Sequence, residues 1–136
     1  RFPTLEALRE HAHHLAPRRQ RGLTLYFQAL WHHNWAHATW DALYPAFVGL
    51  AKFGLHAERF LPFVLTPFEA PADCSDLTNM MCAMEEAYRL FGSLGDPHGE
   101  LVRVHEAMAA RRWILFERLV MGSGAMGQLA AVLSLP

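Results

Sequence analysis

The 136-residue chain has no apolar run approaching the roughly 20 residues that a membrane-spanning helix requires, because Lys52, His56, Glu58 and Arg59 break its longest candidate region. It also lacks any excess of one charge. Its 12 basic and 13 acidic residues leave a formal charge of -1, which gives no general attraction for nucleic acid or an anionic lipid surface. Cysteine is scarce: Cys74 and Cys82 cannot form a metal site alone, and their spacing matches neither a CxxC redox pair nor a zinc knuckle. A disulfide and two buried free thiols both remain open. There is no initiating methionine, and the chain stops at Pro136 just after an apolar run, so we expect both ends to continue in a longer sequence. Any targeting information would lie outside it, and the compartment is not readable.

What the chain does have is apolar surface. Hydrophobic residues make up 52% of it, enough for the core of one domain or a large part of one. Thr4 is a plausible N-cap for a short helix to about His14, which Pro17 ends. After the basic run Arg18–Arg21 and a turn at Gly22, residues 23–30 read as a buried strand. A second helix is expected from Asn34 to about Phe53, with Trp40, Leu43, Tyr44, Phe47, Val48 and Ala51 as its buried stripe and Gly54 as its stop. Residues 60–66 read as a strand that Pro62 confines to an edge or to its first residues. A third helix is expected from Ser75 or Asp76 to Gly92, and further strands over 101–104 and 114–121. Strands alternating with helices predict an α/β fold, a parallel sheet with helices on both faces. Such sheets collect ligands at the carboxyl ends of their strands, and the segment after Leu30 falls at one of these ends.

That segment, Trp31 to Asp41, packs three histidines, three tryptophans, an amide and a carboxylate into eleven positions. At about 100° per residue, Asn34, His37 and Asp41 lie within roughly 60° of one another on the helix, about 80° from its apolar stripe. They form one polar patch beside the buried face. Pro45 cannot donate to the carbonyl of Asp41, so a kink is expected where the carboxylate projects. A half-buried carboxylate there would have a raised pKa and serve as a general base, with the histidine as partner or second base. The plain structural alternative is that Asn34 caps the helix, His37 is a satisfied histidine and Asp41 is solvated. A metal site is the other alternative: His33, His37 and Asp41 share a face, but the glutamate of HExxH and a ligand from a third segment are missing, and no metal is predicted.

The pattern Asn34-x-x-His37-x-x-x-Asp41, followed by Tyr44-Pro45-Ala46-Phe47 and more weakly by the late segment Trp113 to Gly122, resembles glycosyltransferase family 61. That group includes protein O-GlcNAc transferases of the secretory pathway and plant xylosyl- and arabinosyltransferases. The likeness touches residues 23 to 127, and its specific part is the first motif. It implies a GT-B fold of two Rossmann-like domains, of which residues 1–136 would be an N-terminal, acceptor-side part. It also implies inverting transfer from a nucleotide-sugar donor, a UDP-sugar, to an acceptor hydroxyl on a glycan or glycoprotein. By analogy Asp41 or His37 would deprotonate the acceptor, while Asn34, with His33 beside it, would contact the substrate. The donor would be held by a C-terminal domain outside this chain, which alone would not turn over. Eukaryotic members work in the secretory lumen, which a Cys74–Cys82 bond would suit.

The rival reading rests on Gly122-Ser123-Gly124-Ala125-Met126-Gly127, a GxGxxG match after a predicted strand that suggests a dinucleotide-binding oxidoreductase. The chain ends before the acidic residue such a site needs, and the match comes after the last strand rather than the first. A non-catalytic α/β interaction domain is the third possibility. His13 and His14 read as a solvated helix face, Met80, Met81 and Met84 as core packing, and Arg18, Arg19 and Arg21 as a solvated charge run. Arg103 and His105 are weaker cleft candidates.

Overall fold

Leu23, Leu25, Phe27 and Ala29 alternate along the chain, and all four are buried on one side of a strand. This is β1 (Arg18–Gln28), in a computed structural model that describes residues 3–29, 31–66, 74, 78–110 and 113–122. β1 begins earlier than the apolar run predicts. The expected turn at Gly22 is instead an irregularity within the strand, between Gln20 and Leu23 of its ladder. Gly22 adopts φ +74°, and its N–H donates to the Glu117 carboxylate at 2.6 Å, so the basic run pairs as strand before the bulge.

The helix α1 (Leu5–His14) precedes it, capped by the Thr4 hydroxyl, which accepts from Ala7 N–H at 3.1 Å. After β1 come α2 (Trp35–His37), a π-helical segment (Ala38–Leu43) and α3 (Tyr44–Lys52) as one continuous helical run. β2 (Phe60–Leu65), α4 (Met80–Ser93), β3 (Val102–Arg103), α5 (Val104–Ala109) and β4 (Ile114–Met121) follow. The four strands form one parallel sheet in the order β3-β2-β1-β4. The expected α/β class with a parallel sheet is therefore present. β2 is interior by order, yet its ladder to β3 begins only at Phe63, so Pro62 precedes the stretch that has neighbours on both sides.

The core lies on the Leu25 and Phe27 side. There Ala38, Ala42, Ala46 and Leu50 from the helical run, and Met84 and Tyr88 from α4, close over the sheet. This corrects the expected buried stripe of the second helix. Trp40, Tyr44 and Phe47 are exposed, and the row Ala38, Ala42 and Ala46, which runs two positions before Trp40 and Tyr44, faces the strands. Small residues let the helix approach the sheet closely, so the rings are left outside. Gly92 does not end α4 as its sequence position suggests. A Cβ there would stand 2.5 Å from Pro62 Cδ and 2.6 Å from the Phe60 carbonyl, so Gly92 marks a close helix–sheet approach, and Leu94 in the left-handed region ends the helix. Asn79 caps α4, its side chain accepting from Met81 N–H at 3.0 Å; the expected caps Ser75 and Asp76 lie outside the described residues.

On the opposite face Tyr26, Phe63 and Phe116 form a row, with ring centroids 6.3 and 5.4 Å apart, and remain partly exposed. Helices over both faces are thus met fully on one face only among the described residues. No described helix is long and apolar enough to cross a membrane. Cys74 and Cys82 are joined in a disulfide, which decides the pairing left open by the sequence and fastens residue 74 to the first turn of α4.

Candidate active site

The chain leaves β1 toward β2 on one side, while β4 lies against β1 on the other. In an open α/β sheet ligands are usually bound beyond the carboxyl ends of the strands. Trp31 to Asn34 follow the carboxyl end of β1, and Gly122 follows that of β4. Gly122 N–H donates to the Tyr26 carbonyl at 2.7 Å, and a Cβ on it would lie 3.4 Å from Ala46 Cα, so the end of β4 abuts the helical run. The rest of the glycine motif, residues 123–127, lies outside the described residues. Gly122 follows β4, the strand beside β1, whereas a dinucleotide fingerprint belongs after the first strand of such a sheet.

Asn34 is the N-cap of α2: its backbone is extended and its amide oxygen accepts from Ala36 N–H at 3.0 Å. That oxygen is engaged in the fold. Four residues on, at Ala38, the helix widens. Tyr44 N–H bonds back to the Thr39 carbonyl, five residues earlier, across the π-helical segment that contains Asp41. Pro45 explains the widening, since it has no N–H for the Asp41 carbonyl and its ring would collide with that turn of an α-helix. The expected kink takes the form of this π-segment.

His37 and Asp41 face each other across it. His37 Nδ1–H donates to Asp41 Oδ2 at 2.6 Å, with the two side chains 49% and 39% exposed. The dyad is open to solvent, so its arrangement comes from the hydrogen bond more than from burial. The indole of Trp31 borders it, with its centroid 6.1 Å from the His37 ring and 5.6 Å from the His33 ring. Trp40 and Tyr44, the next row of the helix, pair at 5.5 Å. Of the residues singled out by sequence, His37 and Asp41 are in direct contact, the Trp31 indole neighbours both the His37 and His33 rings, and Asn34 caps the start of the same helical run. Among the described residues no group of three or more His, Cys, Asp or Glu side chains is placed to hold a metal ion.

A second polar cluster was not visible in the sequence. His32 is fully buried, and neither ring nitrogen completes a hydrogen bond. Burial holds its pKa below the usual value of 6.5, against the opposing pulls of the Glu85 carboxylate and of the Ala29 backbone, which lies near the ring without completing a well-formed bond; His33 and Arg103 push the same way as burial. Tyr88, also buried with its hydroxyl unbonded, has a raised pKa, first through burial and then through Glu85. Glu85 itself is held by Arg103, whose Nε donates to Oε1 at 2.8 Å and whose Nη2 bonds Oε2, while Nη1 reaches Glu106. These bonds raise the Arg103 pKa. Arg103, a weak cleft candidate by sequence, is the clamp of this cluster, which ties α4 to β3 behind the His32 turn. A cavity of about 230 Å³ lies over it, bordered by Glu86, Arg89 and the disulfide. Of the other sequence candidates, Met84 is in the core and His13 and His14 are on the solvated α1, as expected.

Comparison of the chain with protein-family models, curated proteins and solved structures yields no match.

Proposed function

We propose that this chain is the acceptor-side part of an inverting glycosyltransferase resembling family 61, and that His37 and Asp41 are its proton-accepting dyad. The observation that carries the reading is the 2.6 Å bond from His37 Nδ1 to Asp41 Oδ2 at the carboxyl end of β1. With its proton on Nδ1, the neutral imidazole presents the Nε2 lone pair outward, so Nε2 is the base. Asp41 fixes that tautomer and stabilises the imidazolium once the proton is taken. The acceptor hydroxyl gives its proton to Nε2 as its oxygen bonds to the anomeric carbon, and the bond from that carbon to the diphosphate oxygen breaks, releasing UDP. Asn34 holds the start of the helix, and His33 flanks the acceptor.

Two further features support this reading. The dyad follows β1, which β2 and β4 flank, and the disulfide suits an oxidising lumen such as the secretory pathway. The nucleotide-sugar would be held by a separate donor-binding domain, so the test uses the protein encoded by the full reading frame. Transfer from UDP-sugars to glycan acceptors is measured for the parent, His37→Ala and Asp41→Asn. A positioned base contributes about 10²–10⁴-fold, and each variant is expected to lose kcat in that range. Near-parental rates in both variants refute the assignment.

A further inference from the structure

The two sulfurs of the Cys74–Cys82 disulfide are held unequally. Cys82 is buried in the first turn of α4, at 1% exposure, whereas Cys74 faces solvent. Structural disulfides resist reduction, and exposed ones are those that exchange with thiols. Both cysteines also border the cavity of about 230 Å³, whose charged walls are Glu85, Glu86, Arg89 and Arg103. A water molecule needs roughly 10–15 Å³ of such space, so a molecule of several heavy atoms fits beside the bond.

The route of exchange follows from this asymmetry. A thiolate attacks one sulfur while the other leaves, and only Cys74 is open to approach. The new bond forms at Cys74 as the S–S bond breaks, and Cys82 departs with the electron pair. Cys82 is the third residue of a 14-residue helix with no acidic side chain in its first turn, where the helix dipole favours an anion. The walls select the thiol. Glu85 and Arg103 are largely buried and bonded to each other, whereas Glu86 and Arg89 form a partly exposed pair, one anion beside one cation. A thiol of either single charge is drawn to one member and repelled by the other. A thiol that carries both an ammonium and a carboxylate matches the pair.

We propose that Cys74 is a site of reversible S-thiolation by a small zwitterionic thiol of the amino-acid type, with Cys82 as the leaving and resolving sulfur. The adduct occupies the cavity with its ammonium on Glu86 and its carboxylate on Arg89. Cys82 then re-attacks Cys74 and expels the thiol, so one S–S bond is exchanged for another without oxidant or reductant. A second small thiol attacking the adduct instead leaves Cys74 as a free thiol and departs in a disulfide with the first. None of these residues belongs to the His37–Asp41 site, and the proposal stands apart from the transferase reading.

The test equilibrates the oxidised 136-residue chain in oxygen-free cysteine–cystine buffers of graded ratio, followed by acid quenching, alkylation with N-ethylmaleimide and peptide mass spectrometry. At intermediate ratios a cysteinyl adduct is expected on Cys74, with Cys82 alkylated. In Cys82→Ser the adduct on Cys74 should persist, and Cys74→Ser should take up about tenfold less. Exchange rates are then compared for cysteine, 2-mercaptoethanol, cysteamine and 3-mercaptopropionate, each relative to its rate with a small reference disulfide. Cysteine should lead by about tenfold, the size of one charge-assisted bond. Glu86→Gln, which frees Arg89, should erase that lead and speed 3-mercaptopropionate. An adduct on Cys82, no adduct at any ratio, or equal relative rates for all four thiols overturns the proposal. Trapping on the parent chain needs no substitution, so it decides the site even where a cysteine variant fails to fold.

Discussion

His32, His33 and His37 lie within six positions, yet each does something different. The run of histidines marked the region, but it did not separate the buried ring from the exposed ones, because adjacent histidines have the same composition signal and burial depends on tertiary packing. Its burial has a consequence for stability. The folded pKa is depressed, so the native state binds the proton less readily than the unfolded chain. The stability associated with neutral His32 is complete above about pH 6.5, the unfolded value, and is lost as pH falls from there toward the folded value. Urea midpoints measured from pH 7.5 to 5 should therefore decline, and His32→Leu should flatten the decline. An equal decline in His32→Leu would place the sensitivity elsewhere. Asn34 was legible as a cap from its position before the helix. Asn34→Ala should cost about 1 kcal/mol in a denaturant titration, through loss of its bond to Ala36 N–H.

At the scale of elements, the strands 60–65 and 114–121 and the helical run from residue 35 were readable because length, period and flanking breakers agree. Which side of that run faces the core was not readable. Two stripes compete on it, one of rings and one of alanines, and hydropathy favours the rings. Packing distance decided otherwise, since only alanine and glycine side chains allow a close approach to the sheet. The same physics governs α4 against β2. Gly92→Ala would drive a methyl group into Pro62 and the Phe60 carbonyl, and we expect a loss of roughly 1–3 kcal/mol by urea or thermal unfolding. The π-segment is a separate case, in which Pro45 was recognised as a disturbance but not as a widening. Pro45→Ala restores a donor for the Asp41 carbonyl and allows α-helical register through the dyad. Transfer by the full-length protein should then fall while the urea midpoint changes little; unchanged transfer would mean that the π-segment is not needed to align the dyad.

For the whole molecule, the strand order β3-β2-β1-β4 sets the ends of β1 and β4 side by side, while the Glu85–Arg103 ion pair ties β3 to α4 and the disulfide ties residue 74 to it. The alternating pattern of elements gave the parallel α/β class, whereas neither the strand order nor the cysteine pairing was in reach, since both depend on contacts between distant segments. The disulfide closes a short loop onto α4, and reduction with dithiothreitol should lower stability by about 2–4 kcal/mol. The central claim is that His37 and Asp41 act as one unit. A double-mutant cycle in the transfer rate of the full-length protein tests it most directly, with His37→Ala, Asp41→Asn and the double variant compared with the parent. If Asp41 works only through His37, the double variant is as slow as His37→Ala alone. If the two losses multiply instead, or if neither single substitution slows transfer, the dyad is not the base.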